Sequence, residues 1–262
     1  GRIERIQYQD NDWAARTQVA AAFPVGEGDI LRLIDLERGI DQISAPRSQQ
    51  VTMNLIPGTK PGYSIIDLVD RPKDQLTRSV RFRAGIDNFV TKSEGSEKST
   101  IGIDADNVLN LNDSWSLTHI GSFDTNALAV SGSFPMGYWT HGLAYSYSDY
   151  LSPIDSNTQL FGRSETKTLN TKFRFYKSKT RSVDFTASID KKFSDRVIND
   201  VELADQKMTV GRLGASFSYL SNYSLSGSAS WSHGLEWFDA TKDVDLSGAS
   251  PRAQFDKVQF NA

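Results

Sequence analysis

The sequence predicts an α+β domain of order β-α-α-β-β over residues 1–72, then an antiparallel all-β sheet of transmembrane-barrel type over residues 78–262. Residues 73–77 read as the linker. Three observations lead there. The helical spacing of apolar residues disappears near residue 72 and a period of two replaces it. Each period-two segment has one apolar face and one charged or small face. The connectors alternate between short and long, as in outer-membrane barrels.

In the first part, Ile3, Ile6 and Tyr8 fit a short strand. Asp12 is placed to cap a helix from Trp13 to Ala22, which Pro24 stops. Gly26 and Gly28 mark a loop. Leu33, Leu36, Ile40 and Ile43 then recur at spacings of three and four, predicting a second helix with this face against a sheet. Val51, Met53 and Leu55 alternate with Thr52 and Asn54, a strand signal. Pro57-Gly58 and Pro61-Gly62 bracket a turn, and Ser64 to Val69 is a third strand.

Past residue 78, Val80, Phe82, Ala84 and Ile86 alternate with Arg81, Arg83, Gly85 and Asp87. The pattern recurs around Phe173 with Lys172 and Arg174, around Phe185 with Asp184 and Asp190, around Leu213 with Arg212, and through the serines flanking Ala229. Strands of about 9–12 residues are expected, above the usual five or six. Leu109 to Asp113, Pro135 to Tyr138, Ser178 to Thr180 and Ser221-Asn222 read as tight turns. Residues 90–99, 151–165, 194–206 and 238–256 read as long loops. About nine complete strands and the start of a tenth result, and the closing Lys257 to Ala262 reads as a strand stopped partway, so a fragment of a longer protein is expected. Trp115, Tyr138, Trp139, Tyr145, Tyr147, Tyr150, Tyr219, Tyr223, Trp231 and Trp237 collect near strand ends, resembling an interfacial girdle.

Composition narrows the function. With a net charge of -3 and a pI of 5.7, the chain is not a basic nucleic-acid binder. With 11% aromatics it is not a disordered chain. No run of about 18 apolar residues occurs, so no membrane-crossing helix is read; alternating strands escape that test. The absence of Cys excludes a disulfide framework and a Cys-ligated zinc. His119, His141 and His233 are isolated. Asp104, Asp106 and Asp113 lack the glycine and terminal glutamate of a calcium loop, and read instead as carboxylates opposite arginines. No nucleophile with a base is found. No catalytic, cofactor or metal residue is therefore assigned, and no cofactor is expected.

Ile34 to Gln42, Val51 to Gly58 and Pro61 to Ser64 resemble the last periplasmic POTRA domain of two-partner secretion transporters, the haemolysin and haemagglutinin secretion/activation proteins of Gram-negative bacteria. Gly85 to Asn88 resembles that family's first barrel strand and Asn107 to Asp113 its first periplasmic turn. Pro135 to Thr140 and Tyr145 to Tyr150 resemble its fourth and fifth strands. Phe89-Val90 stands where the family often has Gly. The resemblance implies a barrel of roughly sixteen strands, within the range of such proteins, of which nine or ten are present here.

The implied function is export of a large unfolded secreted partner protein, of haemolysin, adhesin or toxin type, across the outer membrane, with outer-membrane lipid around the barrel and the POTRA-like domain in the periplasm. Gln50, Val51, Thr52, Met53, Asn54, Leu55 and Ile56 would form an edge strand that receives this partner by strand addition. Arg81, Arg83, Asp87, Asp104, Asp106, Lys172, Arg174, Asp184, Asp190 and Arg212 would line a wet lumen. Two rivals stand beside this reading: a barrel insertase of the same superfamily, and a soluble β-sandwich binding module. The oligomeric state is not legible in the sequence.

Overall fold

The computed structural model describes residues 1–8, 11–71, 79–88, 97–122, 124–155, 157–199, 201–243 and 252–262. The expected linker at 73–77 and most of the expected 90–99 loop lie outside the described residues. Two compact units are present. One comprises Gly1–Arg81, Asp104–Trp115 and Gly132–His141; the other comprises Phe82–Ile103, Ser116–Ser131 and Gly142–Ala262.

The first unit opens with β1 (Arg2–Tyr8), α1 (Trp13–Ala22), α2 (Leu33–Ile43), β2 (Val51–Pro57) and β3 (Tyr63–Asp70). Asp12 caps α1, its carboxylate accepting the Ala15 N–H at 2.8 Å. The three strands form one sheet in the order β1-β3-β2. β3 runs parallel to β1, with Ile6 opposite Ile66, and antiparallel to β2, with Met53 opposite Leu68. Ile3, Tyr8, Leu36, Ile43, Val51, Ile66 and Leu68 are buried between sheet and helices. Burying each such side chain contributes roughly 1.5–3 kcal/mol before entropy. The helices approach closely at Gly39, where a Cβ would lie 2.2 Å from the Phe23 ring.

Leu33 departs from its expected place. It is 57% exposed, while Leu36 and Ile43 are fully buried. It is the first residue of α2, off the end of the surface that the helix covers.

Ten strands form the main path of the second sheet, in the order β14-β13-β12-β10-β9-β8-β7-β6-β5-β4. They are β4 (Val80–Asp87), β5 (Lys98–Asp106), β6 (Ser114–Gly121), β7 (Thr125–Met136), β8 (Trp139–Asp155), β9 (Thr158–Lys177), β10 (Arg181–Ile198), β12 (Gln206–Leu220), β13 (Ser224–Leu235) and β14 (Asp256–Asn261); the two-residue β11 (Val201–Glu202) pairs with β10 alone. Sequential neighbours joined by short connections run antiparallel, so the turns at 107–113, 137–138, 178–180 and 221–223 fall at the same end of the strands.

Register carries the two-faced pattern from strand to strand. Phe185 stands opposite Phe173 and Ala215, and Ala187 opposite Thr171 and Leu213. On this face Leu169, Phe185, Leu213 and Trp231 are 44–61% exposed, an apolar surface turned outward. A bulge between Val183 and Asp184 leaves Phe175 without a register partner, so Phe175 and Tyr176 are both exposed. Phe175 meets the Phe185 ring edge-on at 5.9 Å.

Two expected long loops are largely strand instead. β8 and β9 are separated by residues 156–157 only, and β10 continues to Ile198. The lengths therefore range from 8 to 20 residues for β4–β10 rather than 9–12. The physical reason is that these ends carry charge on both faces, which erases the hydropathy alternation, while the ladder continues from Lys191 opposite Lys167 to Ile198 opposite Leu160. Cross-strand contacts hold it there: Arg163 pairs with Asp195 at 3.4 Å and lies over the Phe193 ring.

Candidate functional site

The N-terminal sheet has an open edge at β2. Two observed bonds set which backbone groups face it. The Arg71 N–H donates to the Gln50 carbonyl at 2.8 Å, and the Gly58 N–H to the Tyr63 carbonyl at 2.9 Å. Both pairs share the register of Thr52 with Val69 and Asn54 with Asp67. In an antiparallel ladder, bonded and non-bonded pairs alternate. Gln50, Thr52, Asn54 and Ile56 therefore bond inward to β3, and Val51, Met53 and Leu55 turn their N–H and C=O groups to the edge. The Val51 N–H is taken by the Ser44 hydroxyl at 3.1 Å. Pro57 has no N–H. Met53 and Leu55 are left as the donors of this edge. Their side chains share the face turned to the core; Met53 packs on it, and Leu55 is 50% exposed.

The same unit fastens two turns of the large sheet to the helices. The turn at 107–113 is built by Asp113, which is fully buried. Its carboxylate accepts the N–H groups of Val108, Leu109 and Leu111 at 3.0–3.2 Å and the Trp115 indole N–H at 2.7 Å. Asn107, Asn110 and Asn112 take the left-handed conformation, with φ of 56–57°, which asparagine tolerates better than most residues. The Asn112 amide then donates to the Gln18 carbonyl at the middle of α1, 2.8 Å away and buried. At the second turn, the Gly137 N–H donates to the Ala21 carbonyl at 2.9 Å, and the Gln42 amide to the Gly137 carbonyl at 2.7 Å. The Tyr138 hydroxyl donates to Asp35, and Arg38 lies over the Tyr138 ring. Burial, and next that bond to Asp35, push the Tyr138 hydroxyl above the ordinary tyrosine pKa.

Tyr138 is thus not a girdle residue. Tyr138 lies against α2, and Trp115 faces Gly132, where a Cβ would stand 2.7 Å from its ring. Sequence reasoning also missed the buried polar face of α2. Asp35, Arg38 and Gln42 are 4–9% exposed, and their spacing of three and four was the available signal.

The charged residues of the sheet sort into pairs. Arg81 bonds Asp106 through both guanidinium arms, at 2.7 and 3.0 Å, and Asp106 also accepts the Ser48 N–H at 2.9 Å. Arg174 and Asp184, opposite in register, bond at 2.5 and 3.1 Å. Asp190 accepts the Thr168 hydroxyl at 2.8 Å and lies 3.4 Å from Arg212, which donates to Ser232. Arg83 crosses Gly102, where a Cβ would stand 2.9 Å from its guanidinium, to reach Thr118 at 3.4 Å. Asp104 adds to the negative field at Arg81. Lys172 stands opposite Thr186, and Asp87 ends β4, exposed. The structure joins six of these residues in three pairs, Arg81–Asp106, Arg174–Asp184 and Arg212–Asp190.

Residues 62–262 match the family model of the haemolysin secretion/activation protein ShlB/FhaC/HecB, and residues 2–57 match that of a POTRA domain. The chain is 29% identical over 274 residues to the outer membrane transporter CdiB of Dickeya dadantii (strain 3937), covering 100% of this chain and 48% of that one. It is 26% identical over 252 residues to the hemolysin transporter protein ShlB of Serratia marcescens, covering 92% and 44%. Among solved structures, CdiB from Escherichia coli superposes with a TM-score of 0.88 at 26% identity, over 99% of this chain and 50% of that one. BamA from Haemophilus ducreyi lacking POTRA domains 1–3 superposes at 0.52 with 13% identity, over 90% and 48%, a likeness of fold alone. The chain spans about half the length of the relatives it matches.

Proposed function

The chain belongs to the haemolysin secretion/activation protein family, and from that premise we propose that it is part of an outer-membrane transporter exporting a large, unfolded partner protein by two-partner secretion. Residues 1–72 act as the periplasmic receiving domain and residues 78–262 as the first part of the barrel. The open edge of β2 carries this reading. Unpaired N–H and C=O groups accept an extended chain by strand addition, and backbone pairing reads little sequence. A transiting polypeptide presents every sequence in turn, so this indifference suits it.

The bonds from α1 and α2 to the turns at 107–113 and 137–138, all within one compact unit, support a receiving domain fastened to those two turns. Along the barrel wall, Arg81–Asp106, Arg174–Asp184 and Arg212–Asp190 neutralise one another. Arg83, Lys172, Asp87 and Asp104 add charge of both signs. A path lined in this way holds water and gives a passing chain no single-sign surface to adhere to. Folding of the partner outside makes its return unfavourable, without nucleotide hydrolysis.

The test is export. A strain lacking the gene and carrying it on a plasmid is assayed for the neighbouring large secreted protein in the medium. Secretion restored by the wild type supports the proposal. Normal secretion in the deletion strain, with loss of other outer-membrane barrels instead, overturns it in favour of an insertase.

A further inference from the structure

The outward face of β9 and β10 changes character at one row. Leu169 and Ile189, opposite each other, close the apolar band; the next outward pair is Lys167 opposite Lys191. Like charges directly opposite in a ladder are destabilising. Glu165 offsets one of them, at 2.9 Å from the Lys167 ammonium. Lys191 is exposed, and among the described residues it takes part in none of the ion pairs of this sheet. The next acidic group outward, Asp195, is engaged by Arg163.

The depth of this pair is informative. From Arg181, which lies over the Tyr219 ring at the opposite edge, to Lys191 is ten residues of β10. That is roughly 33 Å of strand at about 3.3 Å per residue, or roughly 25 Å along the membrane normal at a tilt of about 40°. This equals the height of an outer-membrane apolar band. The two ammonium groups therefore lie one apolar-band height from the end of the strands that carries the turn at 178–180, with Trp231 of the same outward face donating its indole N–H to Asp256 nearby in the ladder.

We propose that Lys167 and Lys191 form a binding site for a phosphate of an outer-leaflet glycolipid, lying between the two ammonium groups with its acyl chains along Leu169 and Ile189. The phosphate removes the repulsion that the register imposes and provides an anion that no described residue gives Lys191. The site depends on outer-membrane placement and not on export or on the identity of the cargo, so it stands or fails separately from the transport reading.

The experiment uses the full-length protein, folded in detergent and then in bilayers of phosphatidylethanolamine with or without bis-phosphorylated lipid A. The readout is the temperature at which heat-modifiable gel migration is lost. Lipid A should raise this temperature for the wild type and for K167R/K191R, and raise it much less for K167Q/K191Q. Without lipid A the order should reverse, with K167Q/K191Q at least as stable as the wild type because the like-charge pair is gone. Native mass spectrometry should show about tenfold less lipid A retained by K167Q/K191Q, and millimolar inorganic phosphate should not displace it. Equal lipid A stabilisation and retention in wild type and K167Q/K191Q would overturn the proposal, as would displacement by inorganic phosphate. K167R/K191R, which keeps the charge, separates loss of the site from misfolding.

Discussion

Met53 offers the sharpest test of the receiving edge. Its N–H faces away from β3, so Met53→Pro deletes an edge donor without touching the β2–β3 ladder. The domain should still fold, losing only part of the packing of a half-buried side chain, about 1–2 kcal/mol. An incoming strand loses more. One net hydrogen bond is worth about 1 kcal/mol, and the carbonyl left facing the proline ring costs about 1–3 kcal/mol. The sum of roughly 3 kcal/mol weakens capture roughly a hundredfold. Met53→Ala, which keeps the N–H, should export nearly normally. Thr52→Pro breaks a ladder bond to Val69 and should unfold the domain. The assay is the secreted fraction of the partner, with outer-membrane insertion followed by heat-modifiable migration. Full export by Met53→Pro refutes the edge mechanism. Equal folding of Thr52→Pro and Met53→Pro refutes the assignment of which residues face outward.

Asp106→Ala leaves Arg81 and the Ser48 N–H without the carboxylate between them; a loss of about 3 kcal/mol is expected, read as a lowered urea midpoint in vesicles, and an unchanged midpoint contradicts it. Gly39→Ala gains up to about 1 kcal/mol in helix propensity but drives a methyl into Phe23, an overpacking cost of about 1–3 kcal/mol. Net destabilisation should appear in the same titration, and stabilisation would show that the helices separate freely. Tyr138 gives a pH signature. Because its folded pKa is raised, its contribution is complete below the unfolded value of about 10 and is lost as pH climbs through the folded one. The wild-type midpoint should fall across that window relative to Tyr138→Phe; parallel curves would dissociate the Asp35 bond from stability.

The elements of the N-terminal domain were legible because Asp12, Pro24 and the apolar spacing of α2 are local signals. The outward and inward faces of the large sheet were legible for the same reason, since alternation needs no partner. Partnership itself was not. The Arg174–Asp184 pair depends on a bulge at Phe175 that no residue in β9 announces. The lysine pair at 167 and 191 exists only once register is known. The strand ends beyond Lys191 were hidden because charges on both faces look like loop composition. Asn112 reads as an ordinary turn residue, yet its amide reaches α1 over 94 positions of sequence.

Pro57 sets a limit on how firmly anything can be held. It ends β2 with a residue that cannot donate, while Ser44 occupies the donor at the other end. Two N–H groups remain, and a handful of backbone bonds at about 1 kcal/mol each corresponds to an affinity near the millimolar range. At an ordinary association rate of about 10⁶ M⁻¹s⁻¹, such a grip lets go within about a millisecond. On the proposed function, a longer bare edge would hold a polypeptide in place, and this short one would release each stretch in time for the next to arrive.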